Sequence, residues 1–185
     1  MELLEANNKL NLISTYTEKN SDVIHFYDCI KASQFIQSDS KHDTYYDFGS
    51  GNGFPGIVFG ILFNNVKSYL VEMDSRKADF LRQIVLKLQL TNIQVSEMRV
   101  ESIRTKGSCG AMCRGFSNLA RTLLMSNKIL PVGSTIYHLK GPDWFTELTS
   151  LPVQICSTWN TEMACEYDLP DNLGSRVILR SVRIG

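Results

Sequence analysis

The sequence has no surplus of charge of either sign, since 19 lysine and arginine residues balance 19 aspartate and glutamate residues over 185 positions. A neutral chain has no overall attraction to nucleic acid, so a nucleic-acid partner has to be argued from local charge. Long hydrophobic runs are also absent. The longest covers residues 57–63, which is too short to cross a membrane.

The N-terminus lacks the basic and then apolar pattern of a signal peptide. We therefore expect a cytoplasmic protein with no membrane partner. Cysteine is scarce and without pattern: there are five residues, no C-x-x-C pair, and no histidine or second cysteine pair that would complete a zinc site. Reduced thiols and no bound metal are expected.

Short runs rich in β-branched and aromatic residues alternate with segments of helical periodicity. The predicted strands cover residues 44–48, 66–72, 92–98, 109–114 and 134–140, with two further, antiparallel strands at 153–159 and 176–182. The predicted helices cover residues 57–63, 75–90 and 117–129, with Ser75 as the N-cap of the second. A helical N-terminal extension over residues 1–36 precedes the main domain, residues 37–185, in one compact unit.

This alternation predicts an α/β fold with a mixed, mostly parallel sheet and helices on both faces. In such folds ligands bind beyond the carboxyl ends of the strands. The first three strands end near Gly49, Glu72 and the segment 99–101, so we expect the functional site there.

The segment DFGSGNGFPG, residues 47–56, can be interpreted in two frames. From Gly51 it matches the dinucleotide fingerprint G-x-G-x-x-G, and from Gly49 it is G-x-G-x-G after an acidic residue, Asp47. Glu72 follows about twenty residues later, where a carboxylate that binds an adenosine ribose is expected. That spacing suits both NAD and S-adenosylmethionine.

Two features favour S-adenosylmethionine. The turn after the first strand begins at Gly49, so the dinucleotide frame would start two residues late. The carboxylate of Asp47 would repel a pyrophosphate, whereas it would attract a sulfonium and an α-amino group. Asp47, Gly49, Gly51 and Glu72 are therefore predicted cofactor-binding residues.

The segment GSGNGFPGI, followed by LVEMDSRKADFLRQ and then MRVES, closely resembles the glucose-inhibited division protein B (GidB) family, whose members are also called RsmG. The resemblance implies a class I S-adenosylmethionine-dependent methyltransferase fold (Rossmann-like) for residues 37–185. It implies methyl transfer to N7 of a guanine in 16S rRNA, with the small ribosomal subunit as partner, and we expect a monomer. The cofactor-binding positions implied by the resemblance are Gly49, Phe54, Val100, Glu101 and Arg114.

Guanine N7 has a lone pair and no proton, so its methylation requires orientation and exclusion of water rather than a general base. Arg114 and Lys140 end successive strands and are predicted catalytic residues, each able to contact guanine O6 or a phosphate. His25 and Asp28, three residues apart, suit either RNA contact or a stabilising role in a helix. Phe54 and Phe116 suit either base stacking or the core.

The sequence departs from the family pattern at Ile24, Cys29 and Cys113, and glycine interrupts the fourth strand at Gly110. We expect these changes to bear on the RNA-facing side and to leave the glycine loop intact. Two alternatives therefore stay open. One is a class I methyltransferase with another substrate, and the other is a cofactor-binding protein that associates with the small subunit without methylating it.

Overall fold

The computed structural model describes residues 22–185, and the predicted helical content of residues 1–21 lies outside this range. Seven strands form one sheet. Their bounds are β1 Thr44–Phe48, β2 Lys67–Glu72, β3 Ile93–Glu97, β4 Gly110–Arg114, β5 Thr135–Lys140, β6 Trp159–Asp168 and β7 Ser175–Arg183. The order across the sheet is β3-β2-β1-β4-β5-β7-β6. Strands β1–β5 are parallel, and β7 runs antiparallel between β5 and β6.

The helices precede the sheet and connect its strands. They are a π-helical segment Asp22–Tyr27 that continues into α1 Asp28–Asp39, then α2 Gly56–Leu62, α3 Ser75–Lys87, α4 Leu119–Ser126, α5 Trp144–Thr149 and α6 Val153–Cys156, with a 3-10 turn at Val100–Ser102. Helix α1 extends past the predicted boundary at residue 36 and buries Ala32 and Ile36 against the sheet. The division of the chain at residue 36 stays a prediction.

Both faces of the sheet are buried, as a sheet covered by helices requires. One core cluster includes Phe48, Leu119 and Trp159, and the cluster around α1 includes Tyr45 and Tyr137. The predicted α/β class with a mostly parallel sheet is confirmed. All parallel strands end at one edge, which we call the carboxyl edge.

The strand predicted at residues 153–159 is wrong. Pro152 precedes a short helix, α6, and the strand begins only at Trp159. Strand β6 lies at the edge of the sheet, and its sequence WNTEMACEYD is rich in polar side chains that are partly exposed. An edge strand with one solvated side lacks the continuous apolar run of a central strand, which is why its position was missed.

Several helix boundaries also differ from the prediction. Asp74, rather than Ser75, caps α3, since its side chain accepts hydrogen bonds from the backbone N–H groups of Arg76 and Lys77. Helix α3 ends at Lys87 instead of residue 90, and Gln89 follows with a positive φ of 54°. No element was predicted for the residues of helix α5, and helix α4 is shorter than predicted.

The described residues contain no helix that combines the length and the apolar character needed to cross a membrane. Over the same residues, no group of three or more histidine, cysteine, aspartate or glutamate side chains is placed to hold a metal ion.

Candidate functional site

A cavity of about 360 Å³ opens at the carboxyl edge, between the ends of β1, β2 and β4. We call it the Glu72 cavity. Its lining residues are Gly49, Val71, Glu72, Met73, Met98, Arg99, Val100, Glu101, Gly115, Phe116, Ser117, Arg121 and Met125. The structure therefore brings together four predicted cofactor-binding residues, which are Gly49, Glu72, Val100 and Glu101.

The glycine loop reaches this cavity because its backbone adopts conformations that suit glycine. Gly49 and Gly51 have φ angles of +67° and +51°. A Cβ atom on Gly49 would lie 2.4 Å from the Cδ2 atom of Phe116, so a side chain at this position would displace the wall of the cavity. The N–H of Gly49 donates to the carbonyl of Val71, which joins the loop to β2.

Glu72 holds the loop from the end of β2. One carboxylate oxygen accepts a hydrogen bond from the N–H of Gly51 at 2.9 Å, and the other accepts from the N–H of Asp74 at 2.9 Å. The residue is only 8 % exposed. Each carboxylate oxygen has a second lone pair, so Glu72 keeps capacity to accept hydrogen bonds from ligand hydroxyls in the cavity.

Asp47 lies beneath the loop and is not among the residues that line the Glu72 cavity. Its buried carboxylate accepts a hydrogen bond from the N–H of Gly56 at 3.2 Å, at the start of α2. Burial raises the pKa of Asp47 to about 7, although the hydrogen bond from Gly56 opposes the shift.

A second group of side chains, the Arg114 cluster, consists of His25, Asp28, Phe54 and Arg114. The Nη2 atom of Arg114 lies 2.5 Å from Nδ1 of His25, and its Nη1 atom lies 3.4 Å from Oδ2 of Asp28. The His25 ring stacks on Phe54 with a centroid distance of 5.2 Å, and the guanidinium lies 5.9 Å from the same ring. The N-terminal helical segment, the glycine loop and β4 thus meet here.

Asp28 is the buried anchor of this cluster, at 1 % exposure. Its Oδ1 atom accepts a hydrogen bond from the hydroxyl of Tyr167 at 2.6 Å, and that hydroxyl also lies 3.3 Å from the carbonyl of Asp28. Tyr167 belongs to β6. The C-terminal hairpin therefore fixes the N-terminal helix, and through it the position of Arg114.

Lys140, at the end of β5, lies in a different environment. Its Nζ atom donates to both carboxylate oxygens of Glu147, at 3.0 and 2.7 Å, and to the carbonyl of Ser117. Glu147 also accepts from the N–H of Leu119, the first residue of α4. Lys140 and Glu147 line a second cavity of about 370 Å³, the Lys140 cavity. Both cavities include Gly115, Phe116 and Ser117, so they adjoin.

The expectation that Cys29 and Cys113 bear on the RNA-facing side stays a prediction: Cys113 lines the Lys140 cavity, and Sγ of Cys29 lies 3.6 Å from Nη1 of Arg114. Both side chains are buried, and burial raises the pKa of each thiol to about 12, so both stay protonated. Cys113 contacts Nδ1 of the buried His138 at 3.4 Å and is part of the core. Gly110 has a packing role as well, since a Cβ atom there would lie 2.2 Å from the ring of Tyr45.

Several residues of the site carried no assigned role in the sequence. Arg121 and Met125 line the Glu72 cavity from α4, and Met98 and Arg99 line it from the segment after β3. Phe116, considered for base stacking, forms the wall that both cavities share. Tyr167 acts on Asp28 across 139 residues, and Glu147 acts on Lys140 across seven; no motif marks either residue.

The comparison with protein families decides between the kinds of site that this geometry allows. Residues 1–165 match the GidB family model, described as rRNA small subunit methyltransferase G. The chain belongs to the GidB family. It is 41 % identical over 170 residues to ribosomal RNA small subunit methyltransferase G 3 of Bdellovibrio bacteriovorus, covering 91 % of this chain and 77 % of that one. A GidB relative from Rickettsia akari is 35 % identical over 145 residues, covering 78 % and 72 %.

Solved structures show the fold of this GidB protein. A mutant of MtNAS in complex with S-adenosylmethionine has a TM-score of 0.69 at 11 % identity, covering all of this chain and 72 % of that one. An rRNA methylase from Streptococcus thermophilus has a TM-score of 0.55 at 12 % identity, covering 84 % and 95 %. The predicted family and class I methyltransferase fold are confirmed, and the predicted cofactor, S-adenosylmethionine, agrees with both.

The Glu72 cavity fits this cofactor in size and chemistry. Its volume lies within the range of pockets that bind small molecules. Val71, Val100 and Phe116 supply apolar surface for a flat base, and Glu72 supplies buried acceptors for ribose hydroxyls. Glu101 adds a second carboxylate, which suits a ligand that carries positive charge.

Proposed function

We propose that this protein transfers a methyl group from S-adenosylmethionine to N7 of a guanine in the 16S rRNA of the small ribosomal subunit. The observation that carries the proposal is the pair of adjoining cavities at the carboxyl edge in a chain of the GidB family. The Glu72 cavity has the acceptors and apolar walls that a cofactor requires. The Lys140 cavity, across Phe116, leaves room for a base.

Gly49, Gly51, Glu72, Val100 and Glu101 would hold the cofactor. When bound, S-adenosylmethionine would supply an electrophilic methyl group on a sulfonium, which is what the lone pair of guanine N7 requires. The loop N–H groups and Glu72 fix one another before any ligand binds, so the cavity is ordered in advance. Asp47 would act on the cofactor through its charge, from beneath the loop.

Guanine N7 loses no proton on methylation, so the protein has to orient the base and exclude water. Phe116 presents an aromatic ring to both cavities and suits base stacking, whereas Phe54 packs against His25 and Arg114. Lys140 supplies positive charge beside Phe116, and its pairing with Glu147 sets the direction of its ammonium group. Arg114 is held by His25 and Asp28, so we propose that it acts by placing its neighbours as well as by contact.

The partner in this proposal is the assembled small subunit, because a structured particle supplies shape recognition to an enzyme whose net charge is zero. A cytoplasmic monomer is the form that we propose for the protein.

The deciding experiment is methyl transfer from radiolabelled S-adenosylmethionine to small ribosomal subunits that lack the modification, followed by mapping of the labelled nucleotide. We expect label at a single guanine N7 in 16S rRNA. Subunits that already carry the methyl group are the matched control and should accept none. Label in another RNA or a small molecule would support a different substrate. Cofactor binding without transfer to any RNA would support the non-catalytic alternative.

A further inference from the structure

The carboxylate of Glu147, on α5, has a fixed position in the wall of the Lys140 cavity. Its Oε2 atom accepts hydrogen bonds from Nζ of Lys140 at 2.7 Å and from the N–H of Leu119 at 2.5 Å. Among the described residues, Oε1 accepts from Lys140, at 3.0 Å. A carboxylate oxygen accepts at two lone pairs, so Oε1 keeps one lone pair for a ligand.

This lone pair is open to the cavity, because Glu147 is a lining residue and its side chain is 25 % exposed. The donors of the neighbouring Lys140 are already used. Its ammonium group has three N–H bonds, and it donates to both oxygens of Glu147 and to the carbonyl of Ser117. The spare hydrogen-bonding capacity of the pair is therefore that of an acceptor, which suits a ligand with N–H groups.

The charge of this part of the cavity also favours a base over a phosphate. The ammonium of Lys140 and the carboxylate of Glu147 together are neutral, and a phosphate oxygen would be repelled by Oε1. A base that enters the Lys140 cavity lies next to the cofactor, since Gly115, Phe116 and Ser117 line both cavities.

We propose that Glu147 accepts a hydrogen bond from the base-pairing edge of the target guanine and so selects guanine over adenine. The proposal rests on the proposed function and adds a specificity-determining residue to it. Enzymes that act on an unstacked base commonly recognise it by this edge. Guanine carries donors there, at N1 and at its N2 amino group, on the far side of O6 from N7. Adenine has a lone pair at N1, which the carboxylate would repel.

The charge of Glu147 suits the reaction as well as the substrate. Methylation at N7 moves the positive charge of the sulfonium onto the guanine ring. A carboxylate hydrogen-bonded to that ring attracts it more strongly as the charge develops. An interaction that is stronger in the transition state than in the bound substrate raises kcat.

The first test compares two substrates of the wild-type protein. Small subunits are reconstituted with guanosine or with 2,6-diaminopurine riboside at the target position. The diaminopurine keeps N7 and the N2 amino group, but it has a lone pair at N1 and an amino group in place of O6. We expect a preference for guanosine of about tenfold or more in kcat/KM, the discrimination of base-edge hydrogen bonds. Equal values for the two substrates would overturn the proposal, whatever the behaviour of any variant.

The second test assigns this preference to Glu147 with the variant Glu147→Gln. The amide oxygen can replace Oε2, on which Lys140 and Leu119 converge, so the NH2 group takes the place of Oε1. That group opposes N1–H of guanine and fits the N1 lone pair of the diaminopurine. We expect the guanosine preference to fall about tenfold, mainly through a lower kcat on guanosine.

Glu162→Gln is the matched control, since Glu162 pairs with Arg180 and is not among the residues that line the two cavities. Its guanosine preference should equal that of the wild-type protein. An equal loss of transfer to both substrates in Glu147→Gln would mean that Glu147 only holds Lys140 and α4 in place, and would overturn the proposal. Absence of any transfer to guanosine by the wild-type protein would instead count against the proposed function.

Discussion

The two halves of the site are built in different ways. In the glycine loop, backbone N–H groups bind a carboxylate of the same β-α-β unit, with Gly51 and Glu72 separated by 21 residues. In the Arg114 cluster, side chains bind side chains across long separations, 89 residues for His25 to Arg114 and 139 for Asp28 to Tyr167. The first half depends on local sequence, and the second depends on the completed fold.

Among variants that distinguish the Arg114 cluster from the glycine loop, Asp28→Ala is expected to have the largest effect. This change removes a buried carboxylate that accepts from the hydroxyl of Tyr167 and pairs with the partly exposed guanidinium of Arg114. Loss of one partner of a buried pair costs about 3–5 kcal/mol, so we expect the free energy of unfolding in urea to fall by about that amount. Methyl transfer should be lost while the folded fraction still binds cofactor.

Asp79→Ala is the control for that measurement, since Asp79 is exposed and pairs with Arg82 on the surface. It should change the free energy of unfolding by less than about 0.5 kcal/mol. An equally small effect of Asp28→Ala would mean that the N-terminal helix is not held through this residue.

A smaller effect, confined to the other half, is expected from Glu72→Gln. The amide of glutamine accepts hydrogen bonds only at its oxygen. One of the hydrogen bonds from the backbone N–H groups of Gly51 and Asp74 is therefore lost, together with part of the contact to the ligand. A hydrogen bond to a charged group contributes about 1.5–3 kcal/mol, so the Kd for S-adenosylmethionine should rise about 10- to 150-fold in calorimetry.

Glu97→Gln is the control for this measurement. Glu97 ends the neighbouring strand β3, and its exposed side chain pairs with Arg82. It should leave the cofactor Kd within about twofold, since an exposed ion pair contributes little. Equal Kd values for the two variants would contradict the role proposed for Glu72.

An effect on pH dependence, rather than on stability at one pH, is expected from the buried carboxyl of Asp47, whose pKa is raised from 3.8 to about 7 in the folded protein. The folded state holds a proton that the unfolded state releases, so this contribution to stability is complete below pH 4. It is lost as the pH rises through 7, with a slope of at most about 1.4 kcal/mol per pH unit. Asp47→Asn should remove this slope from urea unfolding measured between pH 4 and pH 8.

Cofactor binding should also involve Asp47. If it favours the charged carboxylate, as a cationic ligand would, calorimetry near pH 6 in two buffers of different ionisation enthalpy should detect proton release. The Asn variant should release less. No difference between the two proteins would mean that the carboxyl does not respond to the ligand.

The contrast between the halves also explains what the sequence could predict. Strand, loop, helix and Glu72 lie within residues 44–72, so spacing alone placed the Glu72 cavity. The resemblance to a family added Arg114. Tyr167 could not be predicted, because Asp28 lies 139 residues away and is brought to it only by folding. Glu147 follows Lys140 by only seven residues, but no helix was predicted at α5, so their pairing was not foreseen.

Burial limited the prediction in a different way. The sequence shows that Cys113 and Gly110 depart from a family pattern, but only the structure shows what surrounds them. Cys113 faces His138 in the core, and Gly110 leaves space for the ring of Tyr45. Gly110 therefore has a packing role, whereas Cys113 lines the Lys140 cavity as well as contacting the core.

The bond between Tyr167 and Asp28 has a consequence for the order in which the protein is made. A chain leaves the ribosome from its N-terminus, and its parts fold as they become available. Every residue that lines the Glu72 cavity has been synthesised by Met125, whereas the hydroxyl that fixes the N-terminal helix arrives 42 residues later, at Tyr167. A growing chain thus has the residues to hold the methyl donor well before it can hold the base.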